Sequence, residues 1–361
     1  MPPFDKHPRF LVRQEEPFNA GPGPAELLAG FVTPNDLFFV RNHGDVPAVD
    51  PASYRLTVDG LVERPLSLSL DDLRRLPRQT VAATLQCAGN RRMELIEHAP
   101  ITNELPWGTE AVSNAEWSGV PLAEVLAAAG IREGAEHAAF LGLDETERHG
   151  HRFHFGGSIP LEKAVHPEVL LADTMNGQPL PPVHGAPLRV VVPGYIGARS
   201  VKWVSRITLQ ATPSDNYFQA KAYRLFPPHF GPDNVVWEQG MMLGEAPVNS
   251  VIGSPLDGER LPAGPARVRG WALAGGGREV ARVDVSVDGG RTWTTADFTP
   301  GDGRWAWRFW EATVELAAGG NEIICRAIDG AAQTQPHSPG EVWNFKGYAN
   351  NAWHRVRVTA G

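Results

Sequence analysis

A cysteine at the end of a β-prone run, followed at once by a small-residue turn and two arginines, is the arrangement best placed for chemistry: Thr84-Leu85-Gln86-Cys87-Ala88-Gly89-Asn90-Arg91-Arg92. Nearby cations favour thiolate over thiol, and a thiolate is a soft ligand for a transition metal. The turn offers free backbone N–H groups and arginine forks to an anion. A cysteine outside such a context usually acts as a small buried hydrophobe. Cys325, the second of the two cysteines, fits that description, because it alternates onto one face with Ile323 and Ala327. Two cysteines cannot build a disulfide framework.

The elements that must carry these residues are short. Tyr54 to Gly60 alternates and ends in a turn, as a strand does. Ser69 is a candidate N-cap for the helix that follows it, and Pro121 to Gly130 has the proline, apolar spacing and terminal glycine of a helix. Leu188 to Val192 reads as a buried strand stopped by Pro193-Gly194, with a second strand from near Val201 through Ile207 to Leu209. Pro227 to Gly258, rich in proline and glycine, reads as a long linker or ordered arm. Beyond it the chain is β-rich. Ala281 to Val287 alternates strictly, Asp288-Gly289-Gly290 makes a hairpin turn, and Arg291 to Thr294 returns. Further strands are expected at Trp305 to Trp310 and Asn321 to Ile328, giving an immunoglobulin-like sandwich from about residue 250.

The bulk numbers agree with two soluble domains in 361 residues: 42% hydrophobic, 20% charged, 38 glycines and 32 prolines. A net charge of −8 makes nucleic acid and anionic membrane poor partners, so an anionic substrate needs a locally cationic pocket. Met1 to Ala20 has no apolar h-region or twin arginine, and no run is apolar enough to span a bilayer. The expectation is a cytoplasmic location, or a periplasmic one if a leader has been removed.

The run Leu-Gln-Cys-Ala-Gly-Asn-Arg-Arg closely resembles the molybdenum-ligand segment of the sulfite oxidase family, which also includes assimilatory nitrate reductases. The resemblance covers roughly residues 35–361. It implies an α+β architecture: a mixed α/β molybdopterin-binding domain over 1–235, with 1–34 as an N-terminal arm, then an immunoglobulin-like dimerisation domain over 236–361. It implies that Cys87 binds molybdenum beside the dithiolene of a molybdopterin. Phe39-Val40-Arg41-Asn42-His43 is similar to the first cofactor-contacting segment, with Arg41 reaching both metal and substrate anion and His43 meeting the pterin. His184-Gly185-Ala186-Pro187-Leu188-Arg189 and Gly197-Ala198-Arg199-Ser200-Val201-Lys202 resemble the segments holding the pterin and its phosphate, and Gly142-Leu143-Asp144 resembles a cofactor-contacting Asp.

The same resemblance places Tyr223 as the active-site tyrosine and Trp107 as a pocket tryptophan, although one extra residue precedes Trp107 relative to the animal enzymes. Arg92 and Lys346 would hold the anion with Arg41. Two departures stand out. Ser200 replaces a histidine and Lys346 replaces an arginine of animal sulfite oxidases, and the lysine keeps charge but loses the bidentate fork. The implied activity is oxidation of sulfite to sulfate, with electrons passed to an external acceptor. Nitrate reduction is the alternative within the family, and a non-catalytic binding protein the alternative outside it. No haem is expected, since no Cys-x-x-Cys-His run is present. A homodimer through the sandwich is expected, with Trp271, Trp305 and Trp307 as exposed anchors.

Overall fold

The computed structural model describes residues 4–301 and 303–361. No helix in it is long and apolar enough to cross a membrane.

Two five-stranded sheets build the first domain. In one, Gln79–Gln86 pairs antiparallel with Val112–Pro121, which pairs with Leu170–Met175; the short strands Gln178–Pro179 and Arg189–Val191 also join Leu170–Met175. In the other the order is Leu66–Leu68, Leu56–Gly60, Val204–Gln210, His137–Arg148, His151–Pro160. Only the Leu56–Gly60 and Val204–Gln210 pair is parallel. The helix Leu122–Ala129 buries Leu122, Val125, Leu126 and Ala129 on one face against this core, at the spacing its sequence requires. Ser69 caps the helix Leu70–Arg74 with a full capping box, its hydroxyl accepting from the Asp72 N–H.

The second domain is a sandwich. One sheet runs Asn249–Ser254, Gly264–Leu273, Arg308–Leu316, Asp297–Phe298; the other runs Arg260–Leu261, His354–Ala360, Gly319–Asp329, Val280–Ser286, Thr294–Thr295. Alternate residues of both, among them Val268, Val283, Ile323, Cys325 and Val356, fill the space between them. Cys325 is the fully buried strand residue that its alternation predicts.

Four expectations need correction. Asn249–Ser254, inside the supposed linker, is a strand of the sandwich; buried along nearly its whole length, it shows no alternation, and prolines flank it on either side. The hairpin after Val287 pairs only at Thr294–Thr295, because the Asp288 carboxylate captures the N–H groups of Arg291 and Thr292 before a ladder can form. The strand expected from Trp305 begins at Arg308. Residues 305–307 instead dock on the first domain: the Thr84 N–H donates to the Trp305 carbonyl (3.0 Å) and the Trp307 N–H to the Thr84 hydroxyl (2.8 Å). This docking covers the open edge of Gln79–Gln86, an edge that otherwise invites pairing with another chain. Finally, Trp271 and Trp307 are fully buried and Trp305 is half-buried under the Lys163 ammonium at 4.1 Å, so none is an exposed anchor.

Candidate molybdopterin site

Cys87 emerges where Gln79–Gln86 ends. Its N–H donates to the Ala111 carbonyl (2.9 Å), the Asn90 N–H returns to its carbonyl (3.0 Å), and the Gly89 N–H points at its sulfur (3.4 Å). The turn closes with Arg91 in the left-handed region, φ 63°. That conformation is uncommon for a residue with a side chain, and here buried contacts hold it. Gly197 packs against the same backbone. A Cβ there would stand 3.1 Å from the Gln86 carbonyl oxygen, so glycine lets the Gly197 turn approach the cysteine strand without pressing on it.

The thiol faces a small, partly open cavity. Phe39, Arg41, His43, Cys87, Asp144, His184, Arg189, Ser200, Lys202 and Tyr223 all line it. Ten residues singled out from six separate stretches of sequence therefore line one cavity. Asn42 stands one layer back, its side-chain oxygen accepting from the Lys202 ammonium, which also donates to the Val183 carbonyl (3.0 Å).

The cavity is cationic to an unusual degree. Among the described residues, Arg41, Arg189 and Lys202 make no ion pair with a carboxylate. Arg189 is buried and donates to the carbonyls of His184 (3.0 Å) and Ser200 (3.1 Å). The Ser200 hydroxyl accepts from the Val192 N–H (3.0 Å), which leaves its own proton free for a ligand. Burial, with Arg189 next, drives the Lys202 ammonium well below its ordinary pKa. Burial likewise lifts the Asp144 carboxyl, with Lys202 opposing, and one Asp144 oxygen is buried without a partner. Buried charge without a counter-ion costs several kcal/mol, of order. A polyanion with ring N–H donors would satisfy both faults, its phosphate at Arg189, Ser200 and Lys202 and its ring at Asp144. A pterin phosphate joined to a metal that takes the Cys87 thiolate fits this donor set.

Tyr223 and His43 form the other wall. The phenol oxygen lies 3.0 Å from His43 Nε2, and the imidazole stacks on Phe155 at 4.9 Å between ring centres. Burial pushes the Tyr223 phenol up and, with Arg41 and Arg148, the His43 imidazole well down, so both are neutral hydrogen-bonding groups near pH 7.

Besides Asn42, five expected site residues do not line the cavity. Val40 and Val201 are buried in the core, with Val40 exchanging backbone hydrogen bonds with Ala20 and the Val201 carbonyl accepting from Val190. Trp107 is fully buried in the apolar cluster that backs Cys87. An indole of that size fits the hydrophobic wall behind the thiol rather than the cavity itself. Arg92 spends its protons on the carbonyls of Leu105 (2.7 Å), Gly347 (3.1 Å) and Lys346 (3.2 Å), stapling the Cys87 turn to the C-terminal segment. Gly347, at φ 60°, permits this: a Cβ there would meet the Arg92 side chain at 2.6 Å. Lys346 pairs with Glu104 beside Tyr348, which in turn stacks on Tyr223 at 5.2 Å.

Sequence reasoning missed Lys6. Its ammonium is buried and meets the Phe38 carbonyl (2.9 Å) and His184 Nε2 (2.6 Å), behind the ring that lines the cavity. Burial lowers its pKa to about 7. A lone lysine in an arm of no recognisable motif carries no signal of this role. Replacing it by methionine removes the support of a cofactor-facing histidine. We expect Lys6→Met to weaken pterin retention roughly tenfold, the lower end of effects of residues behind a metal site, measured as pterin per chain after gel filtration.

Known proteins resemble this chain along most of its length. Residues 43–218 match the oxidoreductase molybdopterin binding domain and residues 241–361 the Mo-co oxidoreductase dimerisation domain. Sulfite oxidase of Gallus gallus is 48% identical over 97% of this chain and 78% of its own length. Sulfite oxidase of Arabidopsis thaliana is 41% identical over 99% and 95%. The chain spans 66% of the mitochondrial sulfite oxidase of Homo sapiens, at 45% identity. A nitrate reductase of Ulva prolifera is more distant, at 35% identity and 43% of its length. Among solved structures, the sulfane dehydrogenase SoxCD of Paracoccus pantotrophus superposes with a TM-score of 0.81, at 30% identity over 97% of this chain and 86% of that one. With the cysteine turn, the unneutralised cationic cavity and two successive domains matched along its length, the chain belongs to the sulfite oxidase family of molybdopterin oxidoreductases.

Proposed function

We propose that this protein oxidises sulfite to sulfate with a molybdenum–molybdopterin cofactor and passes the electrons to an external acceptor. The observation that carries the reading is the buried thiol set in a cavity whose cations lack counter-ions. Cys87 holds the metal; Arg189, Ser200 and Lys202 hold the phosphate; His43, His184 and Asp144 contact the pterin. Bound molybdenum supplies the two-electron oxidation and the oxygen transfer. Arg41 draws the oxyanion inward, since a fixed cation acts most strongly where water is scarce. Tyr223, kept protonated by burial, offers a neutral hydrogen bond to a substrate oxygen. The oxidation consumes one water and releases two protons and two electrons for each sulfite. Molybdenum analysis together with turnover on sulfite, nitrate and sulfoxides tests the reading. Bound molybdenum with nitrate turnover and none on sulfite would replace it by the nitrate alternative.

The protein carries no haem of its own in this reading, which a Soret band in the purified chain would contradict. It is a homodimer through the sandwich domain, as the dimerisation-domain match supports. With the tryptophans committed to the interior, the interface must use other residues, so Trp271→Phe should leave the association state unchanged. Sedimentation equilibrium at micromolar concentration checks both points.

A further inference from the structure

One carboxylate stands where two cations of the proposed substrate side converge. Glu104 lies on the loop between the helix Arg92–His98 and Trp107, with its side chain 14% exposed. It pairs with the Lys346 ammonium, and its second oxygen lies 3.6 Å from Arg92 Nη2. The rest of Arg92 is committed to carbonyls, so Nη2 is the part that remains to meet an anion, and it is turned to Glu104. The guanidinium also lies over the Tyr348 ring at 5.2 Å, with the Lys346 ammonium 5.9 Å from the same ring. Tyr348 stacks on Tyr223, which lines the cofactor cavity. The negative charge of Glu104 reaches both phenols and, after burial, contributes to raising them. Lys346 and Arg92 therefore face one point next to the cavity, and an oxygen-bearing anion belonging to the protein already occupies it.

We propose that Glu104 is a built-in competitor for the oxyanion: its carboxylate neutralises Lys346 and Arg92 until sulfite displaces it, and it returns as sulfate leaves. This rests on the proposed sulfite reading, extended to Lys346 and Arg92, which stand beside the cavity and not on its wall. A carboxylate presents two oxygens to a cation much as an oxyanion does, so the exchange keeps the two cations paired throughout. The carboxylate also keeps both side chains ordered in the absence of substrate. Its cost is weaker anion binding, and its gain is that the product is expelled by a group that needs no diffusion. The lysine at position 346 suits this role, since a single-point ammonium releases a partner more readily than a bidentate fork.

The test uses the molybdenum-loaded protein and two readouts. Sulfate binding, followed by calorimetry, needs no turnover; the KM for sulfite does. Glu104→Gln keeps the shape and removes the charge. We expect sulfate to bind about tenfold more tightly and KM for sulfite to fall by a similar factor, with sulfate becoming a stronger product inhibitor. Adding Lys346→Met should cancel most of the gain, because the freed cation is then gone. Glu104→Ser, too short to reach either cation, should reproduce the glutamine result. Unchanged or weaker sulfate binding in both Glu104 variants overturns the proposal, even in an enzyme that oxidises sulfite. Tighter sulfate binding in a protein that does not oxidise sulfite would leave Glu104 as the competitor and remove the sulfite reading instead.

Discussion

Cys87→Ser should abolish sulfite oxidation while leaving a folded protein. Serine offers a hard, poorly ionised hydroxyl where the site presents a soft thiolate. The expected fall in kcat is on the order of 1000-fold or more, about 4 kcal/mol of transition-state stabilisation. The fold should survive. Cys87 is buried, but its backbone contacts to Ala111 and Asn90 do not use the side chain, and serine is smaller. Arg189, Ser200 and Lys202, proposed to hold the phosphate, are likewise untouched, so pterin should remain while molybdenum content falls. Cys325→Ala is the control. That thiol sits in the sandwich core against the Ser250 hydroxyl (3.3 Å), and burial raises its pKa to about 12, so it has no thiolate to offer a metal. The control should keep its metal and its turnover. Near-normal sulfite oxidation by Cys87→Ser would remove the ligand assignment.

The largest effect on stability is expected at Arg91, one residue before the helix that follows the cysteine turn. Its side chain is fully buried, and every arm of the guanidinium is engaged. Nε and Nη2 hold the two Glu94 oxygens at 2.7 Å each, Nη1 donates to the Asn249 side chain (2.7 Å), and Nη2 donates also to the Ala352 carbonyl (2.8 Å). Asn249 begins the first sandwich strand and Ala352 precedes the last, so this one side chain ties the cysteine turn to the second domain. Arg91→Met leaves the Glu94 carboxylate without its cation, held only by the Asn350 amide (3.2 Å), and strips the buried Asn249 side-chain oxygen of its donor. Removing one partner of a buried pair costs about 3–5 kcal/mol. Urea unfolding should show a loss of that order, with a smaller loss in Arg91→Met/Glu94→Leu, where no carboxylate is stranded. A loss below about 1 kcal/mol in the single variant would mean that water replaces the guanidinium at little cost.

Local chemistry explains what was legible in the amino-acid sequence alone. Cys87, Arg41, His43, Asp144, His184, Arg189, Ser200, Lys202 and Tyr223 stand in runs that resemble the cofactor-holding segments of the sulfite oxidase family, and the structure gathers them around one cavity. The helix after Ser69 and the core strand through Cys325 were equally plain, because a cap and an alternation are properties of a few adjacent residues. The strand Asn249–Ser254 was not, since prolines at both flanks hid a run whose burial depends on a partner sheet.

Tertiary structure alone decided the rest. Burial of Trp107, Trp271 and Trp307 is a matter of which wall each indole faces, and that is set by packing rather than by neighbours in sequence. The place of Lys6 behind His184, 178 residues away, follows from how the arm folds back over the first domain. The meeting of Arg92 and Lys346 at Glu104 joins residues up to 254 apart. A charge reads in sequence as a charge; whether it holds a carbonyl, a carboxylate or a substrate depends on what the fold places within about 3 Å of it.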